Sequence, residues 1–191
     1  KLSALRHLFR FLLGESFRSD DPAAILSGPK RGRALPKVLS IADVDRLLAQ
    51  AKASASLPGL SATQRVRPLR LACLLEVLYA TGLRVSELVT LPVAAARRDA
   101  RMIVVRGKGA RERFVPLNDA AKGAMADYLA AMEAMRGEAN AKPAKWLFPS
   151  FGESGHLTRQ HFARDLKELA AAAGIPPRLV SPHVLRHAFA S

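Results

Sequence analysis

Apolar residues recur every three to four positions along most of the chain, the spacing of amphipathic helices. The first such stretch runs from Leu2 to Leu13 and ends near Gly14. Further helical patterns cover residues 41–51, 68–81, 85–91, 119–134, 158–173 and the segment from Pro182 onward. Residues 54–64 lack this period and are predicted to form a loop.

Helix ends are marked by recognisable capping residues. Ser40 and Asp43 have the spacing of a capping box, and Thr158 precedes a second helical pattern. Ser181 with Pro182 predicts the start of the last helix, because serine caps helices and proline suits the first helical position. Gly82 and Gly174 follow helical patterns and predict their C-terminal ends.

The apolar period changes between Arg101 and Leu117. RMIVV (101–105) and ERFVPL (112–117) read as β-strands, and the turn-forming RGKGAR lies between them. This predicts a β-hairpin with Lys108 between two glycines at its tip. The predicted fold class is mainly α with a small antiparallel β-sheet (α+β).

One stretch, SGPKRGRALPKVL (27–39), is rich in glycine, proline and positive charge and predicts a linker at residues 28–36. It separates a helical segment, 1–27, from a larger domain, 37–191. The chain opens inside one helical pattern and stops inside another. We therefore expect it to be a piece of a longer protein.

The positive net charge of the chain indicates what kind of molecule it binds. Thirty Lys and Arg against 16 Asp and Glu give a net charge of +14, which predicts binding to a polyanion, nucleic acid before an acidic membrane surface. From Arg84 to Arg113 there are eight basic residues and three acidic ones. No apolar run is long enough to span a bilayer. The single cysteine, Cys73, excludes a disulfide framework and a cysteine-based zinc site, and fits a reducing, cytoplasmic compartment.

Four short motifs carry the candidate chemistry: TGLRVSEL (81–88), GKGARER (107–113), LFPS (147–150) and SPHVLRHAFAS (181–191). Singly, each has an ordinary explanation, such as a surface arginine or a solvated helix face. In this order they resemble the catalytic domain of the tyrosine site-specific recombinases, the phage integrase family, and most closely its Xer subgroup of bacterial chromosome-dimer resolvases. The resemblance runs from about Leu39 to Ser191. Residues 1–27 resemble the end of the family's N-terminal DNA-binding domain.

The resemblance implies DNA cleavage by transesterification through a covalent 3′-phosphotyrosine. Arg84 and Arg186 would clamp the scissile phosphate, since a guanidinium is permanently charged and forks onto two oxygens. His183 would hydrogen-bond the phosphate and shuttle a proton, and Lys108 would protonate the leaving 5′-oxygen. No metal, ATP or other cofactor is implied, because the arginines supply positive charge and the covalent intermediate conserves the bond energy.

Further residues are expected around this centre. Glu87 would orient Arg84 or His183, and His187 would support the site by packing. The candidate DNA-binding residues are Arg106, Arg111, Arg113, Arg159, Gln160 and Arg164. For the last three, a solvated helix face is an equally good interpretation.

Neither tyrosine fits the role of nucleophile. Tyr79 lies inside the apolar LLEVLYATGL helix and is predicted to be a core residue, whereas Tyr128, on an amphipathic helix before LFPS, lies in the wrong place along the chain. We expect the nucleophile to follow Ser191, and the chain as it stands to bind DNA without cleaving it.

The implied partners are double-stranded DNA, a recombinase tetramer on paired sites, a paralogous recombinase and a DNA translocase, with no membrane. Two alternatives stay open. One is a non-catalytic DNA-binding protein that retains the recombinase fold, and the other is a type IB topoisomerase-like enzyme.

Overall fold

The computed structural model describes residues 2–27, 39–96, 101–106, 112–139 and 144–189. Within these ranges the chain forms α-helices and one antiparallel pair of strands, which confirms the predicted fold class. The elements are α1 (Leu2–Gly14), α2 (Ile41–Ala55), α3 (Ala62–Thr81), α4 (Val85–Val89), β1 (Met102–Arg106), β2 (Glu112–Pro116), α5 (Asp119–Ala139), α6 (Arg159–Ala172) and α7 (Pro182–Phe189), with short 3₁₀ turns at Val93–Ala96 and Pro177–Leu179. Of the helices in the described ranges, none has the length and apolar character needed to cross a bilayer.

The contacts within the chain define two compact units, Lys1–Pro36 and Lys37–Ser191. In the first unit, α1 is followed by a turn, and the guanidinium of Arg6 donates a hydrogen bond to the carbonyl of Leu26. The predicted linker, residues 28–36, lies outside the described residues.

Helix α3 is the centre of the second unit. It packs against α2, α5 and α7, and Leu74 and Leu78 on it are fully buried. Tyr128 on α5 is 1% exposed and stacks on Phe148 with ring centroids 5.6 Å apart, while Tyr79 is partly buried against the same core. Tyr79 thus packs against the core, as the sequence predicts, and Tyr128 is a core residue as well.

The predicted caps are present. Ser40 and Asp43 form a reciprocal capping box at the start of α2, and Thr158 accepts a hydrogen bond from the backbone N–H of His161 at 3.1 Å. Gly82 ends α3 in the left-handed conformation, with φ +57°, and donates its N–H to the Leu78 carbonyl at 2.9 Å. A side chain is disfavoured at this φ, so glycine turns the chain there at low cost.

The predicted loop at 54–64 is too long. Helix α2 continues to Ala55, and α3 begins at Ala62, six residues before the predicted start at Pro68. Ser61 and Gln64 form a second capping box, with hydrogen bonds of 3.3 and 3.0 Å, which accounts for the earlier start of α3. Pro68 interrupts the helical hydrogen bonds locally, but the burial of α3 against its neighbours outweighs this loss.

The hairpin has the expected antiparallel pairing, with Val104 opposite Phe114 and Val105 opposite Arg113. Successive side chains alternate between the two faces. Val105 is buried on the inner face, whereas Val104 and Phe114 are exposed on the outer face. Arg113 is in phase with Val105 and therefore lies on the inner face. The tip, with Lys108, lies outside the described residues.

A buried carboxylate joins α6 to α3. Asp165 is 2% exposed and accepts hydrogen bonds from Arg67 at 2.9 Å and from Arg70 at 3.3 Å. Arg67 also reaches Glu168 at 2.7 Å, but Glu168 is largely exposed. Because a buried charge depends on its partners, the Asp165 pairs hold these helices together more strongly than the Glu168 pair does.

Asp165→Ala is therefore expected to lower the free energy of unfolding by about 3–5 kcal/mol, since it leaves Arg70 without its carboxylate. The matched control, Glu168→Ala on the same helix, is expected to change it by no more than about 1 kcal/mol. Urea unfolding of both variants measures the difference. Equal losses would show that Asp165 has no special part in joining α6 to α3.

Candidate active site

Arg84 lies at the junction between α3 and α4. The left-handed turn at Gly82 ends α3, Leu83 is fully buried, and Arg84 is the N-cap residue of α4 with extended backbone (φ −68°, ψ 145°). The buried Leu88 anchors α4 below it. The Arg84 side chain is 59% exposed. The backbone of this arginine is thus fixed by packing while its guanidinium faces solvent.

Glu87, one turn further on, is 8% exposed and accepts four hydrogen bonds. Its Oε2 accepts from the backbone N–H of Arg84 at 2.8 Å, and its Oε1 accepts from Arg84 Nη1 at 3.2 Å. Arg113 donates in bidentate fashion, from Nη1 to Oε1 at 2.9 Å and from Nη2 to Oε2 at 2.8 Å. One carboxylate therefore holds two arginines from different elements.

The electrostatics of this group keep it ionised. Burial alone would raise the pKa of Glu87, but the hydrogen bonds from Arg113 and Arg84 outweigh burial and lower the pKa to about 2. The same pairing raises the pKa of Arg113. Glu87 contacts Arg84, one of the two neighbours that the sequence suggested for it.

Arg113 occupies a position that the sequence analysis did not foresee. The sequence predicts that Arg113 binds DNA, and the structure shows its guanidinium hydrogen-bonded to Glu87. The alternation within ERFVP carried the signal, because Arg113 is in phase with the apolar Val115 and hence with the buried face. Whether Arg113 also meets DNA stays a prediction.

Helix α7 carries the second group of predicted residues. Ser181 caps it, accepting from the backbone N–H of Val184 at 3.2 Å. Leu185 is buried, which turns His183 and His187 outward, with Arg186 half-buried between them.

The two imidazoles of α7 contact each other. The Nε2 atoms of His183 and His187 are 3.0 Å apart, and the rings meet edge to face with centroids 4.3 Å apart. A hydrogen bond between them requires one Nε2 to donate and the other to accept. His187 thereby orients the ring of His183.

One helix supports both groups. Helix α4 continues directly from the end of α3, and α7 packs on α3 as well as on α2 and α6. The residues that the motifs predicted therefore arise from elements that share α3 as a common neighbour.

A cleft of about 410 Å³ lies between α4 and the start of α6. Ser86, Arg159 and Gln160 are among its lining residues, so two of the predicted DNA-binding side chains lie beside the helix of Glu87. Arg164 instead contacts its helix neighbours, His161 at 3.3 Å and Glu168 at 3.9 Å.

Three of the predicted site residues lie wholly or partly outside the described residues. Lys108 and Arg111 lie outside the described residues, and of Arg106 only the backbone in β1 is described. Their assignments stay predictions. In the ranges that are described, no three His, Cys, Asp or Glu side chains form a cluster suited to a metal ion.

Comparison with known proteins identifies the family. Residues 37–191 match the phage integrase family, and the chain belongs to it. It is 72% identical over its whole length to tyrosine recombinase XerD of Bradyrhizobium diazoefficiens, of which it covers 61%, and 54% identical to tyrosine recombinase XerD of Brucella suis, of which it covers 60%. The resemblance to tyrosine recombinases of the Xer subgroup is thus confirmed. The chain spans about three fifths of the length of these relatives.

Solved structures agree with this fold. The crystal structure of XerA recombinase superposes with a TM-score of 0.64 at 27% identity, over 98% of this chain and 59% of that one. XerH site-specific recombinase, in a post-cleavage complex with palindromic difH substrate, gives a TM-score of 0.66 at 21% identity, over 98% of this chain and 51% of that one. At 21% identity, the similarity to XerH shows that the two proteins share a fold.

The lowered pKa of Glu87 predicts a pH-dependent contribution to stability. A carboxylate with a depressed pKa stabilises the fold above its unfolded value, near 4.5, and loses this effect as the pH falls towards 2. Glu87→Gln should therefore reduce the free energy of unfolding at pH 7 by up to about 3 kcal/mol. The deficit should shrink between pH 4.5 and 2. Urea unfolding of both proteins over this range measures it, and a deficit that does not vary with pH would contradict the ionised pairing.

Proposed function

We propose that this chain carries the phosphate-binding centre of an enzyme that cuts and rejoins DNA at specific sites. The observation that carries the proposal is the state of Arg84. Its guanidinium donates a hydrogen bond to the buried Glu87 at 3.2 Å, while 59% of the side chain stays exposed to solvent. A restrained and accessible guanidinium is what a fixed donor to a phosphate oxygen requires. Membership of the phage integrase family supports the same reaction.

The reaction is a transesterification at phosphorus. A tyrosine oxygen bonds to the scissile phosphate, the bond to the 5′-oxygen breaks, and a 3′-phosphotyrosine forms. The pentacoordinate transition state carries additional negative charge on its non-bridging oxygens. Arg84 and Arg186 stabilise that charge, because preorganised cationic donors interact more strongly with the transition state than with the substrate. Attack by another strand's 5′-hydroxyl on the phosphotyrosine reseals the DNA and releases the tyrosine.

Two side chains, those of His183 and Lys108, transfer protons in this reaction. His183 hydrogen-bonds the phosphate and accepts the proton that the tyrosine hydroxyl loses as it attacks, with its ring oriented by the 3.0 Å contact to His187. Lys108, which lies between β1 and β2 in the sequence, gives a proton to the departing 5′-oxygen, because an alkoxide is a poor leaving group. The residues of the chain thus supply charge stabilisation and proton transfer.

The nucleophile comes from outside these 191 residues. Tyr128 is 1% exposed, and burial raises the pKa of its hydroxyl above the ordinary value, which disfavours the phenolate. Tyr79 packs against the same core. The burial of Tyr128 and the packing of Tyr79 against the core both argue against a role as the nucleophile.

The domains and partners follow from this assignment. Residues 1–27 end an N-terminal helical DNA-binding domain, 28–36 form a linker and 37–191 belong to the catalytic domain. Double-stranded DNA is held by the positive surface, with Arg159 and Gln160 in the cleft beside α4 and Arg106, Arg111, Arg113 and Arg164 as further candidates. The assembly is a tetramer on paired sites, with a paralogous recombinase and a DNA translocase, and it acts in the cytoplasm to resolve chromosome dimers during cell division.

A suicide DNA substrate tests the chemistry in a full-length protein that contains this chain. We expect a covalent 3′-phosphotyrosyl adduct, and we expect Arg84→Ala or Arg186→Ala to slow its formation by about 10²–10³-fold, the typical loss for one charge-stabilising donor. The control is Arg46→Ala, which removes a surface arginine paired with Asp43 on α2 and should leave the rate unchanged.

The outcomes separate the alternatives. Unchanged adduct formation by the Arg84 and Arg186 variants would refute the clamp. DNA binding without any adduct in the unsubstituted protein would indicate a non-catalytic DNA-binding protein. Relaxation of supercoiled plasmid without paired sites would indicate a topoisomerase.

A further inference from the structure

Arg113 shares a carboxylate with Arg84 and therefore lies beside the proposed phosphate clamp. Nη1 of each arginine donates to Oε1 of Glu87, at 2.9 Å from Arg113 and at 3.2 Å from Arg84. Because both nitrogens bond to the same oxygen, they lie no further apart than these two hydrogen bonds laid end to end. Two charge-assisted hydrogen bonds of about 2.7–2.9 Å to one phosphate oxygen span a similar distance. A single phosphate can thus contact both guanidinium groups.

The pairing with Glu87 leaves part of the Arg113 guanidinium open. One N–H of Nη1 and one N–H of Nη2 donate to the carboxylate, at the end of the planar group. The N–H of Nε and the second N–H of each Nη point to the sides, and among the described residues they have no hydrogen-bond partner. The side chain is 40% exposed. Arg113 can therefore donate to a phosphate without leaving Glu87.

The cluster of Arg84, Glu87 and Arg113 carries an excess of positive charge. Two guanidinium groups bond to one carboxylate, whose lowered pKa of about 2 keeps it ionised at neutral pH. One arginine already matches the charge of one carboxylate, so the second leaves a positive charge unbalanced. Both arginine side chains are partly exposed, and an unbalanced cation beside solvent attracts an anion. The charge of the cluster therefore favours a bound phosphate.

We propose that Arg113 is a further catalytic residue, a third arginine that donates to the scissile phosphate beside Arg84 and Arg186. Glu87 holds Arg84 and Arg113 so that both reach the same phosphate, and Arg113 stabilises the additional negative charge of the transition state. This inference rests on the proposed function, in which Arg113 is one of the candidates for DNA binding, and it assigns that contact to the reacting group. The alternative is that Arg113 only neutralises Glu87.

A DNA substrate with a methylphosphonate at the scissile position tests this contact in the full-length protein. A methyl group replaces one non-bridging oxygen and removes the negative charge, so the reacting centre needs less cationic stabilisation. On the ordinary phosphate, we expect Arg113→Ala to slow adduct formation by about 10²-fold, a typical loss for one charge-stabilising donor. On the methylphosphonate, the variant should react within about fivefold of the unsubstituted protein, because the charge that Arg113 stabilises is absent.

Two further variants interpret that result. Arg84→Ala should show the same smaller deficit on the methylphosphonate, and Arg46→Ala, the surface control on α2, should match the unsubstituted protein on both substrates. If the methylphosphonate relieves Arg84→Ala while Arg113→Ala is equally slow on both substrates, the inference is overturned and the proposed function stands. If it relieves neither variant, the clamp of the proposed function is refuted, and the inference fails with it.

Glu87→Gln distinguishes a direct contact with the phosphate from an effect through the carboxylate. Glutamine removes the negative charge that Arg113 balances, so replacing Arg113 in this background leaves no buried carboxylate without its partner. We expect the double variant Glu87→Gln, Arg113→Ala to form adduct at least about tenfold more slowly than Glu87→Gln alone, because the phosphate contact is still lost. Equal rates would show that Arg113 works only through Glu87 and would overturn the inference. This comparison also keeps the test available if Arg113→Ala alone does not fold.

Arg113→Lys shows how much of the effect depends on the planar guanidinium. Lysine keeps a positive charge next to Glu87, but its ammonium is a point charge that cannot bond a carboxylate at one edge and a phosphate at another as arginine does. On the ordinary phosphate we expect a loss smaller than that of Arg113→Ala, again relieved on the methylphosphonate. A loss of the same size on both substrates, in a folded Arg113→Lys protein, would contradict a contact with the scissile phosphate.

Discussion

The carboxylate of Glu87 is the interaction on which the candidate site depends. A buried negative charge is tolerated only when cationic donors satisfy it, and here Arg113 and Arg84 supply three of its four hydrogen bonds from side chains, the fourth coming from the Arg84 backbone. Hydrogen bonds and charge attraction to the two guanidinium groups offset the cost of burying the charge, and they also fix both groups in place. Loss of the carboxylate would remove the hydrogen bonds that join α4 to β2. It would also leave the side chains of Arg84 and Arg113 without the acceptor that orients them.

The fold holds the residues of the candidate site on rigid elements next to solvent. Helix α3 is buried on several sides, and its left-handed end at Gly82 brings Arg84 to the surface directly above the core. Helix α7, packed on the same α3, turns His183 outward and leaves Arg186 half-buried, because Leu185 packs into the core. Rigid support for exposed cations is the arrangement that electrostatic stabilisation of a transition state requires.

Most helix boundaries of this fold could be predicted from local signals in the sequence. Capping residues such as Ser40 and Thr158, and the stop at Gly82, act within one helical turn, so their effect is readable from neighbouring residues. The start of α3 was missed because Pro68 suggested a helix beginning, although Ser61 and Gln64 already form a capping box. The Arg113–Glu87 pair could not be predicted from local signals, since it joins positions 26 residues apart that only the tertiary fold brings together.

A crystal structure of the full-length protein on a duplex containing its cleavage site would test the central claim most directly. We predict that Arg84 and Arg186 each donate to a non-bridging oxygen of the scissile phosphate at about 2.7–3.0 Å, while Glu87 still accepts from Arg84 and Arg113. A scissile phosphate bound away from these two arginines, or an Arg84 that leaves Glu87 on binding DNA, would contradict the account.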